Sequence, residues 1–384
     1  MQTGIYLDYN ATTPCDPRVL EAMLPFFSEI YGNPANGLHR QGRLAAEHVE
    51  AARGRVAELI GARPTEIIFT ASATESNNLA ILGIARGLAD RDRKRIITTT
   101  VEHKSVLLPC QSLRDKGYEI IVLPVDEKGR VPVEAVRQAV NDKTLLVSVQ
   151  GANNEVGTIQ PVAEIAEVAH QHGALVHCDA AQAVGKIPVD VEQWGIDLLA
   201  ISAHKLYGPK GVAALYMRGG PHSVPIEPTL LGGGQEKGIR PGTLNVPAII
   251  GFGEACHICL TQLAEEAARL ASLRDLFENR LQTELPGVRI NGDLDNRLPN
   301  TSSLTFPGVD ADALLLNMPD LMLGTGAACT SRTITPSHVL EAMSLSREDA
   351  FRTVRVSIGR FTTSEQVERA AKTIAGAYRE LLHT

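Results

Sequence analysis

Clustered positive charge is missing from this sequence. Its 384 residues carry 37 Lys and Arg against 44 Asp and Glu, a formal net charge of −7. With no basic run, a broad nucleic-acid-binding face is excluded, and the acidic balance serves mainly solubility. No window reads as an unbroken apolar stretch of membrane-spanning length, and the opening "MQTGIYLDYNATTP" has neither the basic nor the apolar region of a secretion signal. A cytoplasmic protein is the expectation. The six cysteines, at 15, 110, 178, 256, 259 and 329, follow no regular spacing, so free thiols are expected rather than a disulfide scaffold. No G-x-G-x-x-G follows a strand and opens a helix, which disfavours a dehydrogenase; "GTGAAC" is only a partial look-alike. Low-complexity tracts and internal repeats are absent too.

What is there has a rhythm. Short apolar runs alternate with helical patterns: "EIIF" (66–69), "RIITTT" (95–100), "EIIVLPV" (119–125), "TLLVSVQ" (144–150), "ALVHCD" (174–179), "DLLAISA" (197–203) and "VAALYM" (212–217). Runs this continuous are buried on both faces. Between them lie amphipathic segments such as "PVAEIAEVAHQHG", with Pro161 at its start and Gly173 at its end. The pattern predicts an α/β fold with a mainly parallel seven-stranded sheet and helices on both faces. After about residue 248 the pattern becomes a long helix, then shorter strands, a glycine-rich loop and a terminal helix, where Thr363 and Gln366 match a capping box. A chain of this length exceeds one ordinary core. We expect a large domain over 16–259 and a smaller α+β domain built from 1–15 and 260–384.

In an open parallel sheet, ligands bind beyond the carboxyl ends of the strands. Those ends carry "TASATESNN", a small-residue turn into a helix suited to an anion; His103; Asn153, Asn154 and Glu155; Asp179 and Gln182; and Ser202, His204 and Lys205. Each has a plain reading alone, Thr74 and Asp179 as helix caps and the asparagines as turn formers. Lys205 in "ISAHKLYGPKG" is more pointed, because a lysine resists burial and is either solvated or functional there. Together, a phosphate site, a carboxylate, an imidazole and a lysine are the parts that hold pyridoxal phosphate.

The motifs "YLDYNATTP", "FTASATESNN", "VEHKS", "ANNEVGTIQP", "HCDAAQAVGK", "SAHKLYGPKG", "RPGTLNV", "GTGAACTS" and "RVSIGRFTT" resemble, in order and spacing, those of cysteine desulfurases of the nitrogen-fixation and iron–sulfur-cluster type. These are fold type I pyridoxal phosphate enzymes of the class V aminotransferase family. The resemblance runs from about residue 5 to about residue 365. It implies that Lys205 bonds the cofactor aldehyde, Asp179 pairs with its ring nitrogen, His103 stacks on the ring and Gln182 meets the ring oxygen, with Asn154 close by. It implies further that Ala73, Thr74, Ser202 and His204 hold the phosphate, joined by Thr243 of a second subunit in a homodimer.

The implied reaction removes sulfur from L-cysteine, giving L-alanine and a persulfide on Cys329 that passes to an acceptor protein. Lys205 moves the α-proton, Arg355 binds the substrate carboxylate by a bidentate fork with Asn33 assisting, and positive groups such as His103 favour the Cys329 thiolate. Small, turn-forming neighbours argue against burial of Cys329, whereas Cys256 and Cys259 fall in a helical run and read as core, with no second pair to complete a zinc site. The family's serine-rich "SGSACTS" is "TGAACTS" here, one hydroxyl fewer. The long loop form before "PSHVL" goes with direct persulfide delivery. The chain also stops at "AYRELLHT", without the extension that housekeeping members use to dock a scaffold, so the acceptor stays open among cluster assembly, transfer-RNA thiolation and DNA sulfur modification. Two alternatives remain at this point: a selenocysteine lyase or aminotransferase-like enzyme that leaves Cys329 idle, and a catalytically silent partner in a sulfur-transfer complex.

Overall fold

The computed structural model describes residues 4–88, 92–325, 327–328 and 335–383. Seven strands form at the apolar runs: β1 Ile67–Thr70, β2 Arg95–Thr99, β3 Glu119–Leu123, β4 Thr144–Ser148, β5 Leu175–Asp179, β6 Leu198–Ser202 and β7 Ala213–Met217. They make one sheet in the order β1-β7-β6-β5-β4-β2-β3. Pairing is parallel from β6 through to β3, but β7 runs antiparallel to both β6 and β1. Sequence could not separate β7 from its neighbours, since apolarity reports burial and not direction. The reversal follows from the connection: residues 203–212 are too few for a parallel crossover, which needs about a dozen or more. β4, β6 and β7 are buried throughout, as central strands are, while the edge strand β3 is partly exposed.

Helices cover the sheet where periodicity placed them. Val162–Gln171 follows Pro161, and the chain leaves it through Gly173 at φ +66°, a left-handed conformation that glycine adopts without steric cost. Thr363 and Gln366 form the expected capping box on Ser364–Leu382. The longest helix, Val246–Glu284, starts earlier than its pattern suggested, behind an Asn245 cap that accepts from the Ala248 N–H. It is also long and apolar enough to cross a membrane, which corrects the expectation from its sequence; 56% of its most apolar window is buried inside the protein.

This helix joins two cores. Its first part sends Ile249, Phe252, Cys256 and Cys259 into a core shared with the sheet and with helix Arg40–Leu59. Its last part sends Leu270, Phe277 and Leu281 into a second core with Phe306, Val356 and Ile374. The N-terminal strand Ile5–Tyr6 belongs to that second core and pairs in parallel with Leu321–Met322. A four-stranded antiparallel sheet completes it, in the order Gly324–Thr325, Thr353–Ser357, Thr301–Thr305, Arg289–Asn291.

Close approach of the long helix to helix Arg40–Leu59 depends on Gly253, where an added Cβ would sit 2.7 Å from Ala52 Cα. Overpacking of this kind costs about 1–3 kcal/mol. Gly253→Ala is expected to lower the thermal unfolding midpoint; an unchanged midpoint would mean that the two helices separate freely.

Candidate active site

A cavity of about 420 Å³ opens beyond the carboxyl ends of β1, β2, β4, β5 and β6. Lys205 reaches it from the 3-10 turn Ala203–Lys205 that directly follows β6. Its Nζ donates to the backbone carbonyls of Asn10, at 2.5 Å, and Ala11, at 2.7 Å. Burial, reinforced by Arg355, pushes the Lys205 pKa down to about 8 against the pull of Asp179 and Asp8. Such an amine is a nucleophile and base near neutral pH, as an ordinary lysine is not.

Asp179 ends β5. Its Oδ2 accepts from Asn77 Nδ2 at 2.7 Å and its Oδ1 from the Ala181 N–H at 3.0 Å. Asn77 also donates to Ser105 Oγ at 2.8 Å, and Ser105 Oγ lies 2.7 Å from His103 Nδ1, so carboxylate and imidazole share one scaffold. His103 caps helix Lys104–Ser112, its Nδ1 accepting from the Ser105 N–H at 3.1 Å. Burial pushes its pKa below 6.5, with Lys205 adding to the effect and Asp179 opposing it. That shift disfavours the positive form of His103.

Lining the same cavity, Ala73 and Thr74 open helix Ala73–Gly87, capped by Ser72, whose side chain accepts from the Glu75 N–H. Free N–H groups and the helix dipole favour an anion there. Beside them the buried Ser202 hydroxyl has no partner among the described residues. His204 is held neutral, its pKa pushed down to about 4 by burial and then by Lys205. An orphan buried hydroxyl beside a helix N-terminus, a carboxylate held in place by two N–H donors, and a lysine of low pKa fit pyridoxal phosphate in charge, size and reactivity.

Gln182 and Asn154 line the same cavity, as does Arg355. Arg355 Nη2 bonds Asp8 Oδ1 at 2.5 Å and Nη1 the Asn154 carbonyl at 3.2 Å, while Nε is buried without a partner among the described residues. Both Nη groups are thus engaged within the protein, so a bidentate grip on a carboxylate would require Arg355 to exchange its Asp8 or Asn154 bond for the ligand. The packing here is tight: a Cβ on Gly324 would come within 2.8 Å of Arg355 Nη2.

Two expected residues are not brought together with these. Asn33 lies in a separate cavity of about 560 Å³ beside Arg53 and Glu236, with its Oδ1 accepting from the Ala35 N–H. Thr243 is exposed and outside the Lys205 cavity. Cys329 lies outside the described residues; before and after it, Ala327–Ala328 pairs with Thr335–Pro336. Cys256 and Cys259 are buried in the long helix as expected, and burial raises both thiol pKa values, Cys259 to about 11. Sequence reasoning overlooked Asn10, Asn77 and Ser105, although "YLDYNATTP", "FTASATESNN" and "VEHKS" contain them.

The sequence pattern of the aminotransferase class-V family matches residues 5–370. The chain is 44% identical to cysteine desulfurase IscS of Rickettsia bellii over 377 residues, 98% of this chain and 92% of that protein. It is 46% identical to a mitochondrial cysteine desulfurase of Arthroderma benhamiae over 374 residues, 96% of this chain and 73% of the relative. A solved NifS-like protein superposes with a TM-score of 0.90 at 40% identity, covering 97% of this chain and 98% of the other.

The state of Lys205 is open to a direct check. The cofactor-free protein is expected to take up pyridoxal phosphate at a rate that rises about tenfold per pH unit and levels off near pH 8, followed by visible absorbance. A rate still climbing past pH 10 would show an ordinary lysine.

Proposed function

Because this chain belongs to the aminotransferase class-V family and is a pyridoxal phosphate-dependent cysteine desulfurase, we propose that Lys205 bonds the cofactor and that Cys329 receives the sulfur. The observation that carries this reading is the convergence of Lys205, Asp179, His103 and the helix opened by Ala73 on one cavity. Bound there, pyridoxal phosphate supplies an aldehyde that captures amines and a ring that accepts an electron pair from carbon.

The chain's own groups do the rest in this reading. Asp179 would hold the ring nitrogen, His103 the ring face and Gln182 the ring oxygen, while Ala73, Thr74, Ser202 and His204 would take the phosphate. Arg355 takes the L-cysteine carboxylate, with Asn154 alongside it. Lys205, as a free amine, removes the α-proton and returns it later. The Cys329 thiolate attacks the substrate sulfur; the carbon–sulfur bond breaks, its electron pair stays with the carbon fragment, and protonation there yields alanine. The persulfide left on Cys329 then passes to an acceptor protein.

Thr243 and Asn33 serve the site only if a second copy of the chain supplies them, and we infer a homodimer on that basis. Support comes from exposed apolar side chains in the same regions, Leu231 at 91%, Leu38 at 94% and Tyr31 at 69% exposure. The free thiols Cys15, Cys110, Cys178, Cys256 and Cys259 support a reducing compartment, the cytoplasm.

The test is alanine release from L-cysteine in the presence of a thiol reductant. The native protein is expected to release alanine, and Cys329→Ala at least about 100-fold less; equal release would sink the persulfide step. Lys205→Ala is expected to leave no cofactor bound after borohydride reduction and denaturation. For the dimer, sedimentation is expected to give twice the chain mass, and a monomer that is fully active would remove Thr243 from the site.

A further inference from the structure

The motif "HCDAAQAVGK" ends in a lysine that the reaction above leaves unused. Lys186 is buried, with 8% of its surface exposed. Lysines are almost never buried unless paired, because the unpartnered ammonium loses its hydration. Among the described residues no carboxylate lies within ion-pair distance of it. Its Nζ instead donates to two neutral amide oxygens, Gln182 Oε1 at 2.5 Å and Asn10 Oδ1 at 3.3 Å. The groups bearing on it from other elements are Lys205 and Arg355, which with burial depress its pKa well below the usual value, and the Cys259 thiol, which opposes them. A buried lysine with neutral partners and no counter-charge is a candidate for a functional position.

The partner explains what is gained. A carboxamide has two ends of nearly equal shape, one accepting and one donating hydrogen bonds. Gln182 lines the cavity, so the direction of its amide decides whether the wall offers a donor or an acceptor. With Lys186 bonded to Oε1, the amide nitrogen is turned the other way, where it donates to the Asn10 carbonyl at 2.9 Å. That same carbonyl accepts from Lys205 Nζ. Lys186, Gln182, Asn10 and Lys205 thus form one connected chain of hydrogen bonds, buried except at the cavity.

We propose that Lys186 is a positioning residue that fixes the Gln182 amide with its nitrogen toward the cavity, so that the wall selects a ligand oxygen that accepts a hydrogen bond. The proposal rests on the reading of this cavity as the pyridoxal phosphate site, where that oxygen is the one on the cofactor ring. Lys186 itself does not touch the ligand. Without it the amide keeps only its bond to the Asn10 carbonyl, and its oxygen end is left without a donor among the described residues.

Lys186→Met keeps the length of the side chain and removes the donor. Two quantities read the effect: the affinity of cofactor-free protein for pyridoxal phosphate, and the pH midpoint of the bound cofactor's visible absorption. We expect about tenfold weaker binding, and a midpoint higher by roughly one unit, since loss of a nearby donor and cation favours the protonated form. Lys186→Gln, which retains an N–H donor, is expected to recover most of the affinity and stands in if the Met variant does not fold. In a Gln182→Leu background, which has no amide to orient, Lys186→Met is expected to change affinity less than about twofold.

A Met variant with lower thermal stability but native affinity and midpoint would reduce Lys186 to a structural residue and overturn the proposal. An undiminished loss in the Gln182→Leu background would also overturn it, by showing that Lys186 acts without the amide. Native protein that gives no covalent cofactor absorption at all would instead overturn the underlying reading of the cavity.

Discussion

Every polar atom of one buried asparagine is engaged, and the two halves of the molecule meet through it. The Asn10 N–H donates to Ser357 Oγ, and its Nδ2 donates to Thr301 Oγ1 and to the Asn154 carbonyl. Its Oδ1 accepts from Asn300 and Lys186, and its backbone carbonyl from Gln182 and Lys205. Each such bond is worth only about 0.5–1.5 kcal/mol net, but a buried group left without its partner costs more than that. Asn10 therefore ties the second core's sheet to the residues that would hold cofactor and substrate. It also explains why an N-terminal segment of a dozen residues is needed at a site formed mostly by strand ends some 60 to 200 residues later.

Burial sets the electrostatics around this hub. Lys205, Lys186 and Arg355 crowd a space in which Asp179 and Asp8 are the opposing charges, so protons leave the amines early and the pKa values of the His103 and His204 imidazoles are pushed down. A phosphate and a carboxylate entering such a cavity would relieve this crowding by favouring the protonated forms of its basic groups. The same crowding keeps Lys205 available as an amine while the cavity holds no anion. Binding and proton transfer thus draw on one charge arrangement.

Much of this was legible in the sequence, and the limits have physical causes. The seven strands lie within about two residues of their apolar runs, because burial on both faces writes itself directly into composition. Asp179, Ser202 and Lys205 could be found because an open sheet places its strand ends on one side. Direction was not written there: β7 reads like β6, and only the short 203–212 link tells them apart. Asn10, Asn77 and Lys186 were hidden for another reason. Asparagines are ordinary turn formers and lysines ordinary surface residues, so their roles appear only when long-range contacts bury them. Thr243 and Asn33 lie away from the Lys205 cavity within one chain, and any role there would need a second copy that a single sequence does not display.

The pairing of Ile5–Tyr6 with Leu321–Met322 has a consequence for the chain as it is made. The strands of the large sheet emerge from the ribosome in sequence and can pair as they do, but the second core lacks Phe306, Val356 and Ile374 until nearly the whole chain has been synthesised. Asn10 waits for the same late residues, Thr301 and Ser357 among them, and Arg355 arrives with them. The cavity is therefore among the last parts of the protein to close. A chain that stops before residue 300 can carry Lys205 on the large sheet and still lack the Thr301, Arg355 and Ser357 contacts that enclose it through Asn10 and the cavity.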